Sequence, residues 1–300
     1  MNIAILSFQT RNFENFNSVD QLAEKVIANG HDATVVRASE LELRFGTSTE
    51  ILLKGEPLPL FDAMIVRPRI IADPSISTTY MRALEAQGQF LVNGTDSVVF
   101  TKNKLESLRL LSDAGVPVPK TSALNSHDEL DNVMKNFSFP VIVKTVYGAL
   151  GTGVFYAESM KSLRPIIDFQ FNRGPYNDPI TIQEFIVEAK NTDIRAFVVG
   201  DKVVAAMKRT APSNDVRANF SRGGTVERHA LSPEQEELAL IATRTLGMDY
   251  AGVDIINSDR GPLVLEVNSN PGFTGIGEAT GVDVADSIVK LAIDKAKKSA

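Results

Sequence analysis

Short apolar runs alternate with segments in which apolar residues recur every three or four positions through the first hundred residues, and that alternation predicts an α/β layout. Ile3–Leu6, Ala33–Arg37, Ala63–Val66 and Phe90–Asn93 read as strands. Ser18–Asn29 and Thr78–Gln87 read as helices, which Gly30 and Gly88 can close from the left-handed C′ position. Next comes a longer amphipathic stretch, Ser97–Ala114, with Leu105, Leu108 and Leu111 on one face. Gly115 stops it, and Pro117 and Pro119 forbid its resumption, so this connection is a candidate hinge. Ser126 and Glu129 form a capping-box pattern for another helix. Strands are predicted at Pro140–Val146, Val154–Ala157 and Ile180–Ile186, the first two separated by the glycine-rich stretch Gly148-Ala-Leu-Gly-Thr-Gly153.

The remaining pattern is mainly antiparallel. Arg195–Val199 and Lys202–Met207 flank a Gly200-Asp201 turn, and Gly252–Ile256 and Leu263–Val267 flank Asn257–Gly261. Between them Ser232, Pro233 and Gln235 supply N-cap, N1 and N3 of a helix that ends at Gly247. A last amphipathic helix fills Val284–Lys298. The pattern predicts three units, 1–96, 97–187 and 188–300: a doubly wound α/β domain followed by two α+β units. Leu6-Ser7-Phe8-Gln9 carries no glycine fingerprint after the first strand, which argues against a dinucleotide site there. Gly275-x-Gly277 follows Asn-Pro-Gly and reads as a loop.

Composition narrows the chemistry. A chain of 300 residues with 43% hydrophobic and 23% charged residues can bury sizeable cores without staples. The net charge of −6 lacks the basic surplus of a sequence-independent nucleic-acid binder. No apolar run is long enough to cross a bilayer and no secretory leader is evident, so a cytoplasmic protein is expected. Zero cysteines exclude disulfides, thiolate metal sites and a cysteine nucleophile, and three scattered histidines form no local metal motif. A metal would need oxygen ligands.

The second hairpin offers them. If its register is symmetric about Arg260, Asp254 stands opposite Glu266, and Asn268 shares their face. Like charges opposed within an apolar ladder are costly, and a divalent cation such as Mg²⁺ or Mn²⁺ would compensate them. Lys144 interrupts the apolar strand Val141–Val146 just before the glycines, an arrangement suited to phosphate oxygens. No Walker sequence exists in the chain. Asp193, Arg195, Lys208, Arg209, Arg217, Asn219 and Arg222 form a polar cluster whose arginines suit phosphate or carboxylate clamps.

Lys104, Lys144, Gln183-Glu-Phe-Ile186, Asp254 and Glu266-Val-Asn268 followed by Asn-Pro-Gly272, taken in order, resemble the ATP-grasp ligases, and most of all the RimK-type glutamate ligases. The resemblance implies a pre-ATP-grasp domain at 1–96 and two ATP-grasp subdomains, 97–187 and 188–300, clasping ATP. It implies that Lys104, Lys144 and the loop glycines Gly148, Gly151 and Gly153 meet phosphates, that Glu184, Phe185 and Ile186 meet adenine, and that Asp193 meets ribose. Arg217, Ala218 and Asn219 would lie against the nucleotide, with Arg217 and Asn219 stabilising the acyl phosphate and tetrahedral intermediate. Asp254, Glu266 and Asn268 would hold two Mg²⁺ or Mn²⁺ ions. The implied reaction joins L-glutamate to a C-terminal carboxylate of a small-subunit ribosomal protein, with no nucleic acid or membrane as direct partner. Other acceptors of the same chemistry are an amino-group carrier protein, a coenzyme tail or a small peptide; a binding protein without turnover is the rival of another class. Homo-oligomers are the general expectation for soluble enzymes. Asn270 stands where RimK-type chains commonly carry serine, and Phe171–Pro179 is long and turn-rich; both departures bear on the acceptor or the amino acid. Glu266→Gln and Asp254→Asn are expected to cut ATP turnover by orders of magnitude and leave the fold intact.

Overall fold

A computed structural model describes residues 1–8, 18–68, 74–148, 153–172, 178–212 and 224–299. Its first sheet is parallel. β1 (Asn2–Ser7), β2 (Asp32–Arg37), β6 (Ala63–Arg67) and β7 (Leu91–Val92) stand in the order β2-β1-β6-β7, with helices α1 (Ser18–Ala28) and α2 (Ser75–Ala86) between them. Gly30 and Gly88 take positive φ at the two helix ends, as their positions predict. The segment between β2 and β6 folds into a small antiparallel sheet that the apolar pattern does not announce: β3 (Leu41–Phe45), β4 (Thr49–Leu53) and β5 (Glu56–Pro57).

The expected single helix over 97–114 is two. α3 (Thr95–Lys102) ends and α4 (Lys104–Asp113) begins at Asn103, whose extended backbone breaks the ladder and whose side chain accepts from the Leu105 and Glu106 N–H groups at 3.1 and 3.2 Å. The proline connection that follows is anchored over its first part: Val116 is buried, and Pro117 O accepts from Val264 N at 2.8 Å. A second sheet, in the order β10-β9-β11-β8, contains β8 (Thr121–Leu124), β9 (Val141–Thr145), β10 (Val154–Ala157) and β11 (Ile180–Glu184). It carries α5 (Leu130–Met134) and α6 (Met160–Phe171). Ser126 accepts from Asp128 N and opens a 3₁₀ turn ahead of α5.

The third sheet runs β14-β13-β12-β15-β16 and is antiparallel, formed by β12 (Thr192–Val199), β13 (Lys202–Thr210), β14 (Thr225–Arg228), β15 (Tyr250–Ser258) and β16 (Gly261–Asn268). One face packs on α7 (Pro233–Thr245), whose Ser232–Gln235 capping box forms as expected. The other face is divided. Phe197, Val199 and Tyr250 lie in a core shared with α9 (Val284–Ser299), α1, β1 and β6, whereas Arg195 and Asp254, two and four positions along the same strands, share that face and form its polar end. The Gly275-x-Gly277 stretch, expected as a loop, is the short helix α8 (Thr274–Thr280). Among the described residues no helix is long and apolar enough to cross a membrane.

Candidate active site

The polar end of the third sheet, the β9–β11 face of the second, and the α3–α4 junction enclose a cleft lined by Thr101, Lys104, Ser107, Lys144, Thr181, Gln183, Leu265 and Glu266 among others. Antiparallel register sets Lys144 opposite Thr181 and diagonal to Gln183. Lys144 Nζ donates to Gln183 Oε1 at 2.7 Å, and Gln183 Nε2 donates to Thr121 Oγ1 at 2.8 Å, which fixes the amide orientation. Withdrawal from water pushes the Lys144 ammonium down to about 8, helped by Lys104 and opposed by Glu266 and Asp254. The cation is therefore held by a neutral partner, in a position where an anionic ligand would restore its usual basicity.

Two more lysines converge on the same space. Lys104 Nζ points to Gly148 O (3.3 Å) and Val146 O (3.5 Å), tying α4 to the start of the glycine-rich stretch. At the other end of that stretch Gly153 has φ +77°, and a Cβ there would sit 2.2 Å from Thr145 Oγ1, so the position demands glycine. Lys102 was not singled out from the sequence. On an unbroken helix residues two apart do not share a face; the break at Asn103 brings Lys102 into the electrostatic range of both Lys104 and Glu266, and burial lowers its pKa to about 8.

Asp254 is opposed by Glu266, as the hairpin register predicts, but by a different route. The turn pairs Ser258 with Gly261, and one unpaired residue, Leu265, restores the offset before the carboxylates meet. The same device recurs in the first hairpin, where a shift after Phe197 sets Asp193 opposite Arg209. Asp254 is 6% exposed and its charge is answered within the sheet. Arg195 clasps it through Nε and Nη2, both at 2.7 Å, and Arg209 reaches Oδ2 at 2.9 Å. Arg209 in turn holds both oxygens of Asp193, at 2.5 and 2.8 Å. Burial pushes Asp254 up, and the two guanidinium groups outweigh it and hold the carboxyl below its ordinary range. The expectation that Asp254 needs a cation to be buried is thus corrected: two arginines compensate it. Across the hairpin Asn268, in the amide orientation that satisfies both ends, donates to Glu266 Oε1 at 3.0 Å and accepts from Arg195 Nη2 at 3.1 Å.

The family model for the RimK-like ATP-grasp domain matches residues 101–292, and that for the RimK PreATP-grasp domain matches residues 1–98. The chain belongs to the RimK-like ATP-grasp family. A protein of Pseudoalteromonas atlantica named "Probable alpha-L-glutamate ligase 2" is 39% identical over 300 residues, covering 99% of this chain and 97% of its own. Its namesake in Shewanella denitrificans is 41% identical over 294 residues, 97% and 95% of the two chains. Among solved structures, a RimK domain ATP-grasp protein from Sphaerobacter thermophilus superposes with a TM-score of 0.76 at 22% identity, covering 98% of this chain and all of that one. The ATP-grasp ligase PsnB, in complex with a precursor variant, Mg and ADP, gives 0.71 at 20% identity over 98% of each chain.

In this RimK-like chain Lys104 of α4, Lys144 of β9 and Glu266 of β16 line the cleft, Gly148 bonds to Lys104, and Asp254 of β15 and Asn268 of β16 flank Glu266. Glu184 caps β11 and is held by Lys120 N at 2.7 Å and by Arg260. Phe185 packs edge-on against Tyr156 with centroids 5.1 Å apart, and Ile186 is buried. Asp193 lies in the ion network behind the cleft. Gly151, Arg217, Ala218, Asn219 and Arg222 lie outside the described residues, as does most of the turn-rich part of Phe171–Pro179. Among the described residues no cluster of three acidic or histidine side chains could by itself cage a metal. Mg²⁺ needs none, because it takes one or two carboxylates and completes its shell with phosphates and water. Glu266, with Asn268 beside it and one lone-pair site left on Asp254 Oδ1, fits such a role.

Proposed function

We propose that this chain, an ATP-dependent carbon–nitrogen ligase of the RimK-like ATP-grasp family, joins L-glutamate to the C-terminal carboxylate of a protein, a small-subunit ribosomal protein being the acceptor that the family resemblance points to. The reading rests most on one observation. Lys104, from a helix, and Lys144, from a strand, line one cleft together with Glu266, and Lys102 is close enough to feel the charges of Lys104 and Glu266. Such a cleft takes a polyphosphate and binds a divalent cation at Glu266.

The acceptor carboxylate attacks the γ-phosphorus of ATP; the bond to the bridging oxygen breaks and ADP leaves, giving an acyl phosphate. The α-amine of glutamate, having shed a proton, attacks the acyl carbon; phosphate leaves and the nitrogen loses its second proton. No protein nucleophile is needed, in keeping with a chain that has no cysteine. Lys104 and Lys144 hold phosphate oxygens, the Glu184–Ile186 segment and Tyr156 bound the adenine, and the ribose role of Asp193, whose two oxygens Arg209 holds, rests on the family resemblance alone. Arg217 and Asn219 neutralise charge that develops on the acyl centre. Glu266, Asn268 and Asp254 would hold Mg²⁺ or Mn²⁺, two ions by family resemblance, and the metal would supply neutralisation of phosphate charge. Positioning and charge carry the rate, as in phosphoryl transfer generally. The names of the relatives support glutamate as the amino acid.

The test supplies the purified protein with ATP, Mg²⁺, each amino acid in turn and a panel of acceptor peptides with free C-termini, and reads intact mass. A series of glutamate-sized increments is expected. ATP-dependent addition of a different amino acid would overturn the glutamate assignment, and no mass change with any pair would overturn the ligase reading.

A further inference from the structure

Arg67 ends β6 at the C-terminal edge of the parallel sheet, the edge at which open α/β sheets receive ligands. It is 4% exposed. A guanidinium carries five N–H donors. The two on Nη2 go to Pro271 O at 3.0 Å and Ser18 Oγ at 3.4 Å, while Nε and Nη1 make no well-formed hydrogen bond, the Tyr250 phenol being the polar group nearest to hand. Among the described residues no carboxylate pairs with it. Its plane lies 5.1 Å from the Phe273 ring centre, a stack that offsets only part of the cost of withdrawing a cation from water.

The turn whose Pro271 carbonyl it holds shares the deficiency. Ser269 Oγ and Asn270 Oδ1, in the turn that carries Pro271, are also buried without hydrogen-bond partners. That turn is held close to the sheet, since a Cβ on Gly252 would come within 2.8 Å of Pro271 Cβ. Asn270 follows Asn268 by two residues, and Arg67 is near enough to Lys102 to act on its charge, so the cluster adjoins the phosphate end of the cleft.

Unsatisfied donors beside an unsatisfied acceptor make a mixed set. A bare phosphate or a lone carboxylate would use the donors and leave Asn270 Oδ1 orphaned. The main-chain end of a free amino acid uses both, because its carboxylate and its amine stand one carbon apart. Deepening the function proposed above, and resting on it for the identity of the amino acid, we propose that Arg67, Ser269 and Asn270 form the subsite for the α-carboxylate and α-amine of the incoming amino acid: Arg67 clamps the carboxylate, and Asn270 Oδ1 accepts from the amine and points its lone pair toward the acyl phosphate. This assigns a role to both the buried cation and the asparagine that replaces the usual serine.

The experiment compares wild type, Arg67→Met and Asn270→Ala by calorimetric binding of all twenty amino acids and of glutamate α-amide in the presence of ADP and Mg²⁺, alongside ATP kinetics and thermal unfolding. Wild type is expected to prefer glutamate over its α-amide by about a hundredfold, because a site built to pair a charged group rejects the analogue lacking it. Arg67→Met is expected to lose glutamate affinity to a similar degree and to treat the two alike. Its KM for ATP should stay within about twofold, and its ligand-free unfolding temperature should be no lower than that of wild type, since an unpaired buried charge has been removed. Asn270→Ala is expected to weaken glutamate binding at an unchanged unfolding temperature. An unchanged glutamate affinity in Arg67→Met, or lost discrimination against glutamine in place of the α-amide, would overturn the subsite while leaving the ligase reading intact. Arginine-dependent binding of another amino acid and not glutamate would uphold the subsite and overturn the glutamate assignment. Binding of no amino acid by wild type would overturn the subsite.

Discussion

At Asp254 two guanidinium groups supply the compensation expected of a cation, and this separates two carboxylates that look alike in sequence. Asp254→Asn leaves Arg195 and Arg209 short of a buried counter-charge, and breaking such a pair from one side costs about 3–5 kcal/mol. Glu266 carries no comparable load. Urea unfolding is therefore expected to show Asp254→Asn strongly destabilised and Glu266→Gln near wild type, with ATP turnover lost in both; equal stability of the two variants would refute the arginine network as the support of Asp254. The earlier expectation that both substitutions spare the fold is kept for Glu266 alone. Lys144 and Lys102 give a pH dependence. Both release their protons near pH 8 in the folded protein and only near 10.5 in the unfolded chain, so their desolvation penalty is present in full below pH 8 and fades between those values. Phosphates favour the charged forms. ADP affinity is expected to fall as pH rises through about 8, and Lys144→Met should bind about tenfold more weakly at pH 7, given the worth of one charged hydrogen bond, with a flatter profile. Calorimetric titration across pH 6.5 to 9.5 checks it.

Asn103 shows how a single element boundary places chemistry. Its side chain caps α4 and its backbone breaks α3 from α4, which leaves Lys104 in the cleft and Lys102 within reach of its charge and that of Glu266. Asn103→Ala is expected to cost about 1 kcal/mol in urea unfolding, the usual worth of an N-cap, and to raise KM for ATP, whereas Asn103→Asp should keep both values near wild type. This break was not legible in the sequence, because Ser97–Ala114 keeps an amphipathic period across it and asparagine is tolerated within helices. Other elements were legible for clear physical reasons: Gly30, Gly88 and Gly247 take positive φ, Ser232 and Gln235 form their box, and the Asp254–Glu266 pairing survives. That pairing was reached through a symmetry about Arg260 that the hairpin lacks; a two-residue turn and the unpaired Leu265 produce the same offset. The Asp193–Arg209 pairing was not legible in the same way, because a symmetric register about the Gly200-Asp201 turn sets Asp193 opposite Lys208, and only the shift after Phe197 brings Arg209 across. Nor could Arg67 be found, since only the folded chain shows that an arginine ending an apolar strand is sealed from water with no carboxylate partner among the described residues. Gly275-x-Gly277 reads as a loop because it follows Asn-Pro-Gly, yet the chain turns helical there despite two glycines, with Ile276 packed in the core.

The three units follow one another along the chain, but the hydrophobic cores divide the molecule differently. Ile3, Ile5, Ile65 and Val92 of the first sheet share one core with Phe197, Tyr250 and Ile288 of the last unit. Asn93 stitches the same border, donating to Tyr250 O at 3.0 Å and accepting from Asp249 N and Tyr250 N at 2.7 and 3.0 Å. Lys25 meets Asp283 at 2.7 Å across α1 and α9. The second sheet keeps its own core of Leu124, Val143, Leu163, Ile182 and their neighbours. Hydrogen exchange is expected to show the first and last units opening together and the middle unit opening separately at lower cost; protection of all three in one cooperative step would contradict this. ADP should slow exchange at the facing edges of the cleft most. The separate core of the middle unit has a further consequence for protein engineering. Because the chain enters it near Pro119 and leaves it near Ile186, that unit is the transplantable piece: a chimera cut at those two points would exchange the nucleotide-facing lobe between relatives with its packing whole. A cut at residue 96 would sever Asn93 and the first sheet from the helix and strands that bury them, and both halves of such a chimera would expose apolar surface that belongs to a single interior.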